Sequence, residues 1–172
     1  SGTGKTAFLG ADATAEATDP TWATAGLTFD GSNDYCNLGS ALGYPLGVTE
    51  ATSYTFVVGL SRAADGANHQ IFQARRTSGN NQGWDFFITN GNKLATRVSG
   101  DDGTQTQFTS SGSLTGTPWR TVAMVYDGAS KVVRLVIESA GQTVRESASA
   151  HAKTFTSVAT ANLDLGAFGS WA

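Results

Sequence analysis

Short stretches in which apolar and polar residues alternate recur along this chain, and clusters of turn-forming residues separate them. In residues 53–61 every second side chain is large and apolar, namely Tyr54, Phe56, Val58 and Leu60. This spacing is typical of a β-strand with one face in a core. Helical spacing is confined to the Ala-rich residues 11–18 and 147–153. About ten short strands with frequent turns predict an all-β fold, an antiparallel β-sandwich of two sheets.

The first predicted strands form a hairpin. Leu27 and Phe29 alternate with polar residues, a turn-rich stretch follows at 30–34, and Cys36 resumes the alternation. Residues 1–25 are expected to form a loop with Trp22 as its anchor.

The remaining strands follow the same pattern. We predict them at 53–61, 70–76, 84–89, 93–98, 104–109, 119–126, 131–138, 142–147, 155–158 and 162–168. The polar stretch 104–109 is expected at a sheet edge. Trp84 and Trp119 lie in strand register, so we expect both to anchor the core.

The composition limits the partners of this chain. Its 172 residues are expected to form a single domain, 1–172. The net charge is −3 and basic residues are scattered, so nucleic acid is not an expected partner. No apolar run approaches the ~20 residues of a membrane helix, so no membrane partner is expected.

Only 15% of residues are charged, which suits an extracellular, cell-surface or virion protein. The single cysteine, Cys36, is expected to be a small apolar core residue.

Five segments resemble one known family in order and spacing. They are 26–35 (GLTFDGSNDY), 54–58 (YTFVV), 119–128 (WRTVAMVYDG), 133–137 (VRLVI) and 163–166 (LDLG). The pattern resembles the laminin-G-like, concanavalin-A-like lectin and glucanase superfamily of jelly-roll domains. The resemblance implies a jelly roll that is used more for recognition and adhesion than for catalysis. It also implies further strands before residue 1 and after residue 166, so we expect a longer polypeptide or a neighbouring subunit to cover the sheet edges.

A lectin-like module would bind a glycan or a protein surface through loops at the rim of its sheets. Aromatic rings and planar polar side chains are the groups that hold sugars. The candidate aromatic platforms are Tyr35, Tyr44 and Phe87. The candidate polar contacts lie in and beside one long loop: Arg75, Arg76, Asn80, Asn81 and Gln82.

Calcium is the one cofactor that the sequence suggests, because it takes hard oxygen ligands from loops and many members of the resembled family hold it at a sheet rim. One turn offers Asp30, Asn33 and Asp34, and another offers Asp101 and Asp102. The alternative is that these side chains only form Asx turns.

Two other functions stay open beside recognition. A glycoside hydrolase needs two carboxylates about 5–10 Å apart, and the glucanases of this fold carry Glu-x-Asp on one strand. None of Glu16, Glu50, Glu138 and Glu146 has an acidic residue two positions on, so we expect no catalysis, although an Asp pair from distant strands would escape this test. The other alternative is a purely structural domain for virion decoration or assembly.

Overall fold

The computed structural model of this chain describes residues 8–9, 19–29, 34–37, 53–62, 66–75, 83–100, 102–114, 116, 118–139, 142–147 and 163–166. These residues form thirteen strands and contain no helix. The strands are β1 Phe8–Leu9, β2 Thr21–Ala23, β3 Gly26–Thr28, β4 Cys36–Asn37, β5 Tyr54–Leu60, β6 His69–Arg75, β7 Gly83–Ile88, β8 Lys93–Ser99, β9 Gln105–Ser113, β10 Arg120–Asp127, β11 Val132–Ser139, β12 Gln142–Ser147 and β13 Leu163–Leu165.

The strands make two main sheets and one ribbon. The larger sheet has seven strands in the order β1-β4-β13-β6-β7-β8-β9, and the smaller has four in the order β12-β11-β10-β5. Strands β2 and β3 pair only with each other among the described strands. Every pairing between described strands is antiparallel. The predicted all-β fold, an antiparallel two-sheet sandwich of jelly-roll type, is confirmed.

The core joins β6, β7 and β8 of the larger sheet to β5, β10 and β11 of the smaller one. Its fully buried members include Trp84, Val122 and Leu135. The Trp84 ring lies 5.0 Å from the ring of Tyr54 and 4.6 Å from that of Phe56, measured between centroids. Burying a large apolar side chain contributes about 1.5–3 kcal/mol, so this cluster holds the two sheets together.

The local strand predictions hold for the middle of the chain. Strands β5 to β12 lie within one or two residues of their predicted bounds, except that β9 continues to Ser113. As predicted, β9 is at an edge of the larger sheet in the described part of the chain, and Cys36 is buried. The predicted strand at 155–158 and the Ala-rich stretch 11–18 lie outside the described residues.

The predicted first hairpin is wrong, and so is the loop expected over residues 1–25, because β1 and β2 lie within that range. Strand β3 pairs with β2, where Trp22 is the Cα partner of Leu27, whereas Cys36 in β4 pairs with Leu9 and Leu165. A polar turn shows where a chain reverses, but it does not determine which sheet the next strand enters. Here β4 gains more distant partners in the larger sheet.

Two tryptophans are more exposed than expected. Trp22 is 75% exposed and Trp119 is 56% exposed, so neither is a core anchor. Trp119 immediately precedes β10, whose alternate residues Arg120 and Val122 are buried. Because strand side chains alternate, Trp119 falls on the outward register.

Candidate ligand-binding face

One face of the larger sheet carries polar side chains in consecutive register. Gln73 is the Cα partner of Asp85, Asp85 of Arg97, and Arg97 of Gln107, so a polar row crosses β6, β7, β8 and β9. The neighbouring residues in these strands, such as Trp84 and Phe86, enter the core on the opposite side of the sheet. We call the side that bears this row the polar face, defined by Gln73, Asp85, Phe87, Arg97, Gln105 and Gln107.

An ion pair is the centre of the polar face. Arg97 donates from Nε and Nη2 to Oδ2 of Asp85, at 3.2 and 2.9 Å. The Asp85 side chain is 1% exposed and that of Arg97 is 17% exposed. Arg97 also donates from Nη1 to Oε1 of Gln105 at 3.4 Å. Burying a carboxylate without a partner costs free energy. The ion pair with Arg97 offsets part of that cost when Asp85 is charged.

Phe87 supports the guanidinium from below. The Arg97 Cζ atom lies 5.2 Å from the centroid of the Phe87 ring, within the range of a cation–π contact. Phe87 is buried but is not part of the core cluster, in keeping with its position on the opposite side of β7 from Phe86. The ring, the carboxylate of Asp85 and the amide of Gln105 together fix the plane of the guanidinium.

The accessible part of the polar face consists mainly of amides. Gln105 and Gln107 are exposed on β9, and Gln107 donates from Nε2 to Oγ1 of Thr109 at 3.0 Å. An amide side chain offers both donors and acceptors. Such groups, beside a fixed guanidinium, can hydrogen-bond the hydroxyl groups of a sugar or the backbone of a peptide.

The structure describes only part of the predicted ligand site. Phe87 lies on the outward register of β7, as predicted, but it is only 6% exposed and lies under the guanidinium of Arg97, so it is not an open platform. Tyr35 is half-buried beside Cys36. The backbone of Arg75 ends β6 opposite Gly83, and its side chain lies outside the described residues. The other candidates also lie outside them: Tyr44, Arg76, Asn80, Asn81 and Gln82.

In the part of the chain that the structure describes, the acidic turns do not form a metal centre. Asp102 accepts hydrogen bonds from the backbone nitrogen and the hydroxyl of Thr104, at 2.9 and 2.8 Å to Oδ1, which is the Asx-turn alternative. Asp34 is buried. The described residues contain no group of three or more His, Cys, Asp or Glu side chains that could hold a metal ion. Asp30, Asn33 and Asp101 lie outside the described residues, and calcium binding stays a prediction.

The central pair was missed at the level of sequence, although the signal was present. The turn at Asn90-Gly91-Asn92 closes the β7–β8 hairpin, as predicted. An antiparallel hairpin centred on Gly91 places Asp85 opposite Arg97, and both alternate with core residues. Candidates taken from loops do not include this pair, because Asp85 and Arg97 are opposite charges on paired strands.

No helix long and apolar enough to cross a membrane is found in the described residues.

Comparison with known proteins identifies the architecture. A laminin G family model, described as the concanavalin A-like lectin/glucanases superfamily, matches residues 30–167. None of the curated proteins matches the sequence.

Two similar solved structures are of one carbohydrate-binding module. The CBM40 of the Ruminococcus gnavus IT-sialidase bound to α2,3-sialyllactose has a TM-score of 0.56 and 17% identity, covering 74% of this chain and 70% of that one. The same CBM40 bound to α2,6-sialyllactose has a TM-score of 0.53 and 18% identity, covering 74% and 71%. At these identities the similarity concerns the fold.

Proposed function

The chain belongs to the concanavalin A-like lectin/glucanases superfamily, and we propose that it is a non-catalytic recognition module that binds a glycan on its polar face. The observation that carries this proposal is the polar row from Gln73 to Gln107 across four adjacent strands. A sheet face that is merely solvated has no need of a buried carboxylate. Here Asp85 is buried, and it holds Arg97 in a fixed orientation.

Preorganisation is the physical reason why such a face would bind a ligand. A long arginine side chain loses rotamer freedom when it is immobilised by a ligand, and that loss weakens binding. Asp85, Phe87 and Gln105 restrain Arg97 before any ligand arrives. The exposed amides of β9 lie beside it and supply further hydrogen bonds.

A binding role is favoured over hydrolysis by the state of the carboxylate on this face. Glycoside hydrolysis needs two carboxylates that can reach the scissile bond. Asp85 is almost fully buried and is bonded to Arg97, so it is badly placed to act as an acid, base or nucleophile. The two solved structures compared above, with TM-scores of 0.56 and 0.53, are carbohydrate-binding modules.

The proposed setting is extracellular, on a cell surface or on a virion, with a glycan as the ligand and a protein surface as the alternative partner. The low share of charged residues suits such a setting. A structural role in virion decoration or assembly would not require the polar face to bind a small glycan.

Glycan binding can be tested with one variant and one matched control. The protein is applied to an array of oligosaccharides, and the strongest hit is titrated calorimetrically. Replacing the exposed Gln107 by Ala removes an amide from the polar face, and we expect the affinity to fall about tenfold, the effect of losing roughly one hydrogen bond. Thr55→Ala is the control, because Thr55 is also exposed on an edge strand of the described sheets but belongs to the other sheet. Failure to bind any glycan, or equal losses in both variants, would contradict the proposal.

A further inference from the structure

We propose that Asp85 determines the specificity of the polar face, by cancelling the charge of Arg97 so that the face prefers uncharged glycans to acidic ones. This inference rests on the proposed function, since it names the class of glycan that the same face would bind.

The charges on the polar face balance. Among its defining residues Asp85 and Arg97 carry charge, and their formal charges sum to zero. By register two further charged residues flank the row, Asp164 opposite Gln73 and Arg75 two residues along β6, and their formal charges also cancel. Lys93 is also on β8 but is four residues from Arg97, about 13 Å along a strand. That separation exceeds the screening length of about 8 Å at physiological salt. The whole chain has a net charge of −3, so its overall charge does not attract anions.

The geometry makes the cancellation local. Two nitrogens of Arg97 donate to the same oxygen of Asp85, and a third donates to Gln105. A ligand carboxylate that reached this guanidinium would share it with Asp85. Because Asp85 has almost no contact with solvent, water cannot screen the repulsion between the two carboxylates.

A hydroxyl group avoids this repulsion. It can accept a hydrogen bond from Arg97 and donate one to the side-chain oxygen of an amide such as Gln107. The polar face therefore suits the hydroxyl groups of neutral sugars. This distinguishes the chain from its structural neighbour, which was solved with sialyllactose, a glycan that ends in a carboxylated sugar.

The experiment compares matched pairs of glycans. The intact protein is tested on an array in which each neutral oligosaccharide is printed beside its sialylated form, including lactose beside α2,3- and α2,6-sialyllactose. We expect the neutral member of each bound pair to give a dissociation constant about tenfold lower than the sialylated member. In Asp85→Asn, which keeps the shape and an acceptor oxygen, the face gains a net positive charge, and we expect the ratio to shift at least tenfold toward the sialylated member.

A second measurement does not depend on the folding of the variant. We expect wild-type binding to a neutral hit to change less than about twofold between about 50 mM and about 500 mM salt, because no net charge is neutralised. Wild-type preference for the sialylated members, or binding that weakens steeply with salt, would overturn this inference while leaving glycan binding intact. Absence of binding to every glycan would overturn the proposed function and this inference with it.

Discussion

At the scale of single residues, the absence of a Cβ atom on Gly166 allows an aromatic ring to pack closely against the backbone at the end of β13. It follows β13, has a φ of +77°, and donates its backbone N–H to the carbonyl oxygen of Ile71 at 3.1 Å. A Cβ at this position would lie 2.5 Å from Cε1 of Phe29. The glycine therefore serves both a left-handed backbone and the close approach of an aromatic ring.

We predict that Gly166→Ala lowers the free energy of unfolding by about 2–4 kcal/mol, through the left-handed conformation and the overlap with Phe29. Denaturant titration measures this loss. Gly59→Ala is the control, because a Cβ on Gly59 meets nothing within 4 Å, and it should be neutral or slightly stabilising. The double variant with Phe29→Ala should recover the part due to overlap. A Gly166→Ala protein as stable as the wild type would contradict the packing described here.

At the scale of elements, β5 shows what an alternating strand contributes to the sandwich. Its inward residues Tyr54 and Phe56 contact Trp84 on the opposite sheet, while Val57 between them is 61% exposed. Burial, followed by the electrostatic effect of Tyr126, raises the pKa of Tyr54 well above its usual value of 10.0. The phenol is therefore held neutral where it packs against the core.

This shift predicts how stability depends on alkaline pH. When the folded pKa is higher than the unfolded one, the group contributes stability that is present below the unfolded pKa, here near 10.0, and that is lost as the pH rises toward the folded value. We therefore expect the wild type to lose stability above pH ~10, and Tyr54→Phe to lose less. Thermal melts at intervals from neutral to strongly alkaline pH measure the difference. Parallel profiles for the two proteins would contradict the assignment.

The β7–β8 hairpin makes a second point at this scale. One tight turn sets the register of two strands, so it fixes the core residues on one side and the Asp85–Arg97 pair on the other. The centre of the candidate site is thus a property of one hairpin. Gln73 and Gln107 enter from the strands on either side.

At the scale of the whole molecule, stability depends on packing between the two main sheets. Leu135 on β11 has no exposed surface and belongs to the same cluster as Trp84 of the larger sheet. Val57 is also apolar and is in the same four-stranded sheet, but it lies mostly in solvent. Comparing substitutions of Leu135 and Val57 therefore separates the effect of burial from that of strand propensity.

We predict that Leu135→Ala lowers the free energy of unfolding by about 3 kcal/mol, within the range for cavities left by large-to-small core substitutions. Val57→Ala should cost about 0.5 kcal/mol or less. Equilibrium denaturation of both variants provides the comparison. Similar losses at the two positions would mean that the sheets do not share one core.

The sequence by itself determined where the central strands lie and how those joined by the shortest turns pair. Alternation predicts β5, β7 and β10 because a side chain in a strand can face only one of two sides, and short turns then set the register of β7–β8 and β10–β11. The same two facts are enough to place Asp85 opposite Arg97. The family resemblance could also be recognised from short motifs, because these motifs correspond to individual strands and turns.

Only the tertiary structure decided the pairings between distant segments. It placed Cys36 beside Leu165 rather than in a hairpin with Leu27, and it left Trp119 outside the core. It also placed Arg97 over Phe87 and buried Asp85 on the polar face. Partners far apart in the chain are selected by the surface that they bury together. The free energy of this burial arises only when the sheets assemble, so no local stretch of sequence predicts it.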